Sequence, residues 1–224
     1  MTITENKLQL GIGIYTVTEI ARILNFPRKK VERWLREYWD GELGSEYADN
    51  YSWKTENSKA VGFHTLIEFY VMVQFTQAGV KTRKLLDAHK TLAKWYDTPF
   101  PFAQKEVLAN MKTDKKHIYF QKGDDLITLD NTKQFNLRFI EIFFKNIEFD
   151  NNQLAARLWP LGKEKSIVID PKRKFGHPVI DEHNIYPETI NNHIKAGDPA
   201  KYVAYVYEIT EQQVADAVEY CNAA

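Results

Sequence analysis

The run Tyr15-Thr-Val-Thr-Glu-Ile-Ala-Arg-Ile-Leu-Asn-Phe-Pro-Arg-Lys-Lys-Val-Glu-Arg-Trp-Leu-Arg36 constrains this chain more than any other stretch. It reads as two short helices joined by a tight turn. Thr16 and Glu19 have capping-box spacing and set the start of the first helix. Ile20, Ile23 and Leu24 give that helix one apolar face. Asn25-Phe26-Pro27 interrupts the pattern, and Pro27 suits the first position of a new helix. On the second helix Val31, Trp34 and Leu35 are expected to point inward. Arg28, Lys29, Lys30, Arg33 and Arg36 are left for the outside. Over residues 22–36 the bases Arg22, Arg28, Lys29, Lys30, Arg33 and Arg36 face one acid, Glu32, a net of +5. The chain as a whole carries 30 basic and 30 acidic side chains. So local an excess points to phosphate, and the helix pair to a helix-turn-helix whose second helix enters the major groove.

At 224 residues the chain has room for one large domain or two small ones with ample core. A single cysteine, Cys221, excludes an internal disulfide framework and fits a reducing compartment. No signal peptide is recognisable before residue 15, and no apolar run approaches the roughly 18 residues of a membrane span. A cytoplasmic protein without membrane association is expected.

Residues 37–60 read as an acidic loop or wing. Glu37, Asp40, Glu42, Glu46, Asp49 and Glu56 face only Lys54 and Lys59, a poor surface for phosphate. Its aromatic residues Tyr38, Trp39, Tyr47, Tyr51 and Trp53 fit core packing better than base stacking. A second helical pair follows. Thr65 and Glu68 have capping-box spacing before an apolar stretch that Gly79 should end. Residues 81–96 form an amphipathic helix with a basic outer face. This order of elements over residues 14–102 resembles the winged helix-turn-helix of MerR-type regulators. The resemblance implies that residues 28–36 lie in or beside the major groove and that a homodimer binds a two-fold site. The effector cysteines of metal-sensing members are missing, so ion sensing is not expected.

Farther on, Ile118-Tyr-Phe and Leu126-Ile-Thr-Leu flank a hairpin signal at Gln121-Lys-Gly-Asp-Asp. Phe135 to Phe149 is apolar nearly all round and reads as a covered helix, in a core or a dimer interface. From residue 160 two short strands, Ser166–Asp170 and the segment ending at Ile180, precede three helices. Asp198-Pro199 reads as an N-cap and N1 pair, and Thr210 with Gln213 as a capping box. Asp170-Pro171, Gly176-x-Pro178, Ile185, Ala196-Gly197, Tyr207, Ile209-Thr210-Glu211 and Val214-x-x-Ala217 carry a resemblance to the "domain of unknown function 433" family over residues 160–221. The family commonly has Gly-Thr-Arg before the Ile at 185, where this chain has Glu182-His183-Asn184. Joined to an N-terminal helix-turn-helix, that family occurs in VapB-type antitoxins, which resemble this chain over nearly its whole length. The resemblance implies a PIN-like ribonuclease toxin as partner.

Residues 163–224 hold seven basic and ten acidic side chains, and the last helix, 211–220, has no Lys or Arg. Protein contact suits that helix better than DNA. The basic run 172–174 fits either phosphate, an acidic pocket of a toxin, or a solvated turn. None of the six histidines stands in a metal-ligand spacing, and no nucleophile elbow, P-loop or dinucleotide fingerprint is present. No enzyme, metal or cofactor is expected. The expected fold is mainly α with small β hairpins. A MerR-like winged helix-turn-helix spans 1–102, a hairpin and apolar connecting or dimerisation segment 103–160, and a small homeodomain-like helix-turn-helix for protein interaction 161–224. The expected function is an antitoxin that represses its own operon and neutralises a ribonuclease. Thr16, Arg28, Lys29, Lys30, Arg33 and Arg36 are the DNA-contact candidates. The alternatives are a stand-alone transcription regulator and an adaptor whose helix-turn-helix no longer binds DNA.

Overall fold

In the computed structural model, which describes residues 11–47, 51–55, 58–113, 118–122, 125–128 and 144–223, the chain is mainly helical with small antiparallel sheets. Strand β1 (Tyr15–Thr16) leads directly into α1 (Val17–Ile23). The capping box forms: Thr16 N–H donates to Glu19 Oε2 at 2.7 Å, and Glu19 N–H to the Thr16 hydroxyl at 3.3 Å. Asn25, at φ 43°, turns the chain into α2 (Arg28–Trp34). Val31, Trp34 and Leu35 are buried as expected.

The segment after α2 differs from the loop that its composition suggests. The helix runs on through a π-helical stretch, Leu35–Leu43, into α3 (Gly44–Tyr47). Leu35, Trp39 and Leu43, four residues apart, are buried along it. Trp39 stacks on Phe69 with ring centroids 4.1 Å apart. Two acidic side chains of this segment are tied to other elements. Asp40 accepts from Ser52 at 2.8 Å and from Lys59 at 2.6 Å. Glu42 accepts from Lys90 at 2.6 Å and Arg83 at 3.0 Å. The Lys90 hydrogen bond, with Arg83 beside it, holds the Glu42 carboxyl below its ordinary value. Only a short hairpin remains of the expected wing, β2 (Ser52–Lys54) and β3 (Lys59–Val61), and β1 pairs with β3 to complete a three-stranded sheet.

Helix α4 (Phe63–Gln77) is buried on nearly every side. It starts earlier than the Thr65–Glu68 pair suggests, so no capping box forms there: Phe63 N–H donates to Ile12 O at 2.8 Å, and Glu68 lies inside the helix. Gly79, at φ 97°, closes the helix end. Helix α5 (Thr82–Tyr96) buries Leu85, Leu86, Ala88, His89, Leu92 and Ala93. A 3-10 turn (Pro101–Ala103), α6 (Lys105–Asn110) and the sheet β4 (Met111–Thr113), β5 (Ile118–Lys122), β6 (Asp125–Thr128) follow. The predicted hairpin is thus present, with Lys122 opposite Asp125. Most of the apolar stretch Phe135 to Phe149 lies outside the described residues. Its end is not helical: Ile147–Phe149 is β7, paired with β8 (Ala155–Leu158). The Asp150 carboxylate accepts from the N–H groups of Asn152 and Leu154, at 2.8 and 3.0 Å, and so folds the chain back between the two strands. One apolar core gathers residues from Tyr15 to Leu108 together with Met111, Ile147, Ala155, Leu158 and Ile169.

A second core holds the remaining elements, β9 (Ile167–Val168), β10 (Val179–Ile180), α7 (Pro187–Ala196), α8 (Ala200–Tyr207) and α9 (Glu211–Ala223). Ile167, Ile180, Ile190, Val203, Val214, Ala217 and Tyr220 fill it. The Thr210–Gln213 box forms, with bonds of 2.8 and 3.1 Å. Asp198 does not cap α8. Its carboxylate meets His193 Nδ1 at 2.7 Å, while Nε2 of that ring meets the Tyr207 hydroxyl at 2.9 Å. A close partner outbids an exposed helix end for the carboxylate.

Candidate nucleic-acid interface

The packing of α2 decides what it presents. Trp34 lies against Phe26 and Phe69, with centroids 5.0 and 6.3 Å away, which fixes the rotation of the helix about its axis. Arg28, Lys29, Lys30, Arg33 and Arg36 then all face solvent. Lys30 Nζ sits 5.3 Å from the Phe26 ring centroid. Arg36 pairs with Glu37 at 3.1 Å, and Arg33 approaches the same carboxylate at 4.0 Å. Such exposed pairs are worth little and exchange readily for phosphate. Among the described residues no ion pair engages Arg28 or Lys29. Five of the six candidates therefore stand exposed along α2 and the start of the π-helical stretch. Thr16 stands elsewhere, at the N-cap of α1, its hydroxyl and N–H both turned to Glu19.

The C-terminal unit is docked on the entrance to α1. Ile14 N–H donates to Phe175 O at 2.9 Å, Arg22 on α1 pairs with Glu188 on α7, and His177 Nδ1 lies 3.6 Å from Glu19. The buried Tyr15 ring fits between Gly13 and Gly176. Glycine serves at 176 for two reasons: its φ is 87°, and a Cβ there would overlap the Tyr15 hydroxyl. Burial, with Asp170 and Glu19 nearby, raises the Tyr15 phenol well above its ordinary value, so the ring stays neutral. Sequence reading missed this seam. Its only local signal is the pair of glycines at 13 and 176.

The second helix pair presents the opposite charge. On α9, Asp216 is buried and accepts from Ser166 N–H at 3.0 Å and from Gln212 at 2.9 Å, with Lys165 at 3.3 Å. Burial alone would raise that carboxyl, but the hydrogen bonds from Gln212 and Ser166 outweigh it and hold it below its ordinary value. Arg173, in the basic run, is committed within the unit, to Asp181 at 2.8 Å and Asn184 at 2.7 Å. The described residues contain no group of three or more potential metal ligands, and none of their helices is long and apolar enough to cross a membrane.

Residues 167–221 match the model of the family described as protein of unknown function, DUF433. The C-terminal unit carries this DUF433 match. The seam thus joins the hairpin of the matched unit to the first helix of the basic pair. The whole chain is similar to VapB45 of Mycobacterium tuberculosis, a protein assigned as an antitoxin, at 23% identity over 235 residues and 96% of both chains. It is also similar to the crystal structure of Rv2018 from Mycobacterium tuberculosis, with a TM-score of 0.69 and 20% identity over 94% of this chain and 99% of that one. At that identity the second match speaks for the fold alone. The resemblance to VapB-type antitoxins extends along the whole chain, whereas its MerR-like detail has no counterpart in these matches.

Proposed function

We propose that this protein is the antitoxin of a type II toxin–antitoxin pair, binding its own operator through α2 and neutralising a PIN-like ribonuclease through its C-terminal part. The match to an antitoxin over the length of both chains carries this reading. The exposed cations of α2 and of the turn that follows it support the DNA-binding half of it. In this proposal α1, α2 and the β2–β3 hairpin act as a MerR-like winged helix-turn-helix within residues 1–102. Residues 103–160 connect or dimerise, and 161–224 engage the partner. The protein works as a cytoplasmic homodimer on double-stranded operator DNA, and it has no catalytic role. Arg28, Lys29, Lys30, Arg33 and Arg36 contact phosphate or base edges. Thr16 acts indirectly, by fixing the start of α1 through its capping box with Glu19.

Two experiments test the two halves. Colony counts after inducing the reading frame beside this gene, alone and together with this chain, should show growth arrest that the chain relieves. A harmless neighbour would overturn the antitoxin reading in favour of a stand-alone regulator. For the DNA half, operator affinity of the dimer should fall by about 10³-fold or more between 50 and 200 mM salt. Arg33→Ala should weaken binding by about 1–3 kcal/mol per half-site and flatten the salt slope by about 1 for each lost phosphate contact. Its melting temperature should not change, because Arg33 is exposed. Unchanged affinity and slope would remove α2 from the interface.

A further inference from the structure

Helix α8 turns Val203 and Ala204 into the second core and sends Tyr207 to His193. That leaves Tyr202, Tyr205 and Val206, at i, i+3 and i+4, together on its outer face. They are 55%, 83% and 47% exposed. No ring, ion-pair or hydrogen-bond partner engages Tyr202 or Tyr205 among the described residues. Two tyrosines and a valine side by side in solvent are the composition of an interface centre rather than of ordinary surface. They are too few for a whole interface, which needs about 800 Å² per partner.

The surrounding charge selects the occupant. From residue 198 to 223 the exposed acids are Glu208, Glu211 and Glu219, the last paired with Lys165, against one base, Lys201. Asp198 is held by His193, and Asp216 is buried. Glu208 and Glu211 are exposed beside the aromatic face. Nucleic acid would be repelled. A second copy related by a two-fold axis would set this acidic surface against itself. The complement is a protein with positive charge around an apolar surface, and a protein that holds RNA must carry positive charge along the strand's path. We propose that the Tyr202–Tyr205–Val206 face of α8 docks on the basic, RNA-holding surface of the ribonuclease partner and closes it to substrate. The proposal rests on the antitoxin reading above and names the surface that reading lacks.

Full-length wild type and single variants are titrated against the purified product of the neighbouring reading frame, with cleavage of an RNA oligonucleotide as the readout. Tyr205→Ala should raise the concentration for half-inhibition about 30-fold, the size of an interface hot spot. Tyr205→Lys, which brings like charge to the basic surface, should raise it further. Tyr202→Ala should act in the same direction. All three variants should melt like wild type and bind operator equally well. Inhibition by wild type that survives both Tyr205 variants and Tyr202→Ala overturns the surface while sparing the antitoxin reading. A wild type that inhibits nothing overturns both.

Discussion

Glu68→Ala is expected to cost the fold about 2–5 kcal/mol, the scale for a buried large-to-small change that also orphans a hydrogen-bond donor. Glu68 on α4 and His89 on α5 are 0% and 1% exposed. His89 Nε2 lies 2.9 Å from Glu68 Oε2, but off the axis of a good hydrogen bond, and His89 Nδ1 has no hydrogen-bond partner among the described residues. The other carboxylate oxygen accepts from Phe102 N–H at 2.8 Å, so Glu68 ties α4, α5 and the 3-10 turn together. Alanine would orphan that N–H and leave His89 facing a void. Equilibrium urea unfolding checks the loss, and a change below about 1 kcal/mol would mean that the pair contributes little.

Burial raises the Glu68 carboxyl, against the opposing pull of His89 and the backbone N–H groups of Phe102 and Ala103. A folded value above the unfolded one means that the native state holds the proton more tightly. On this group's account stability is therefore fully present below about pH 4.3, the ordinary glutamate value, and is lost as pH rises through the raised value. Glu68→Gln cannot ionise. The wild-type advantage over it should shrink with rising pH across that window in parallel urea titrations.

Gly176→Ala is the second large effect, about 2–4 kcal/mol. A left-handed φ of 87° costs a side-chain-bearing residue about 1 kcal/mol. The added Cβ would also overlap the Tyr15 hydroxyl and come within 3.1 Å of Gly13 Cα, and overpacking adds about 1–3 kcal/mol. The buried ring has no room to swing aside. Because the Tyr15 hydroxyl has no hydrogen-bond partner among the described residues, Tyr15→Phe alone should be near neutral. Combined with Gly176→Ala it should recover part of the loss. That non-additivity in a double-mutant cycle, read by thermal unfolding, is the signature of direct contact. Additive effects would separate the two residues. The seam carries β1 straight into α1, so Gly176→Ala should also weaken operator binding at temperatures where the chain remains folded.

What the sequence determined by itself is local. The Thr16–Glu19 and Thr210–Gln213 boxes, the turn at Asn25 and the glycine end at Gly79 form as read, since their partners lie within a few residues. The apolar spacing of Val31, Trp34 and Leu35 likewise settled which side of the basic helix is buried, leaving its cations outside. Where a distant group competes, the local signal loses. Residues 37–47 belong to a stretch that looks like an acidic loop but are helical, because Phe69, Lys59, Arg83 and Lys90 supply the stacking and counter-charge that the segment lacks. Asp198 has an N-cap's spacing and goes instead to His193. Ile147–Phe149 follows a helical pattern and becomes a strand once Ala155–Leu158 offers a backbone to pair with. The docking of the DUF433 hairpin on Tyr15 and the bare tyrosine face of α8 were decided only in the tertiary structure. Both depend on which surfaces other elements cover, and solvent exposure is a property of the whole packed chain that no short window of residues contains.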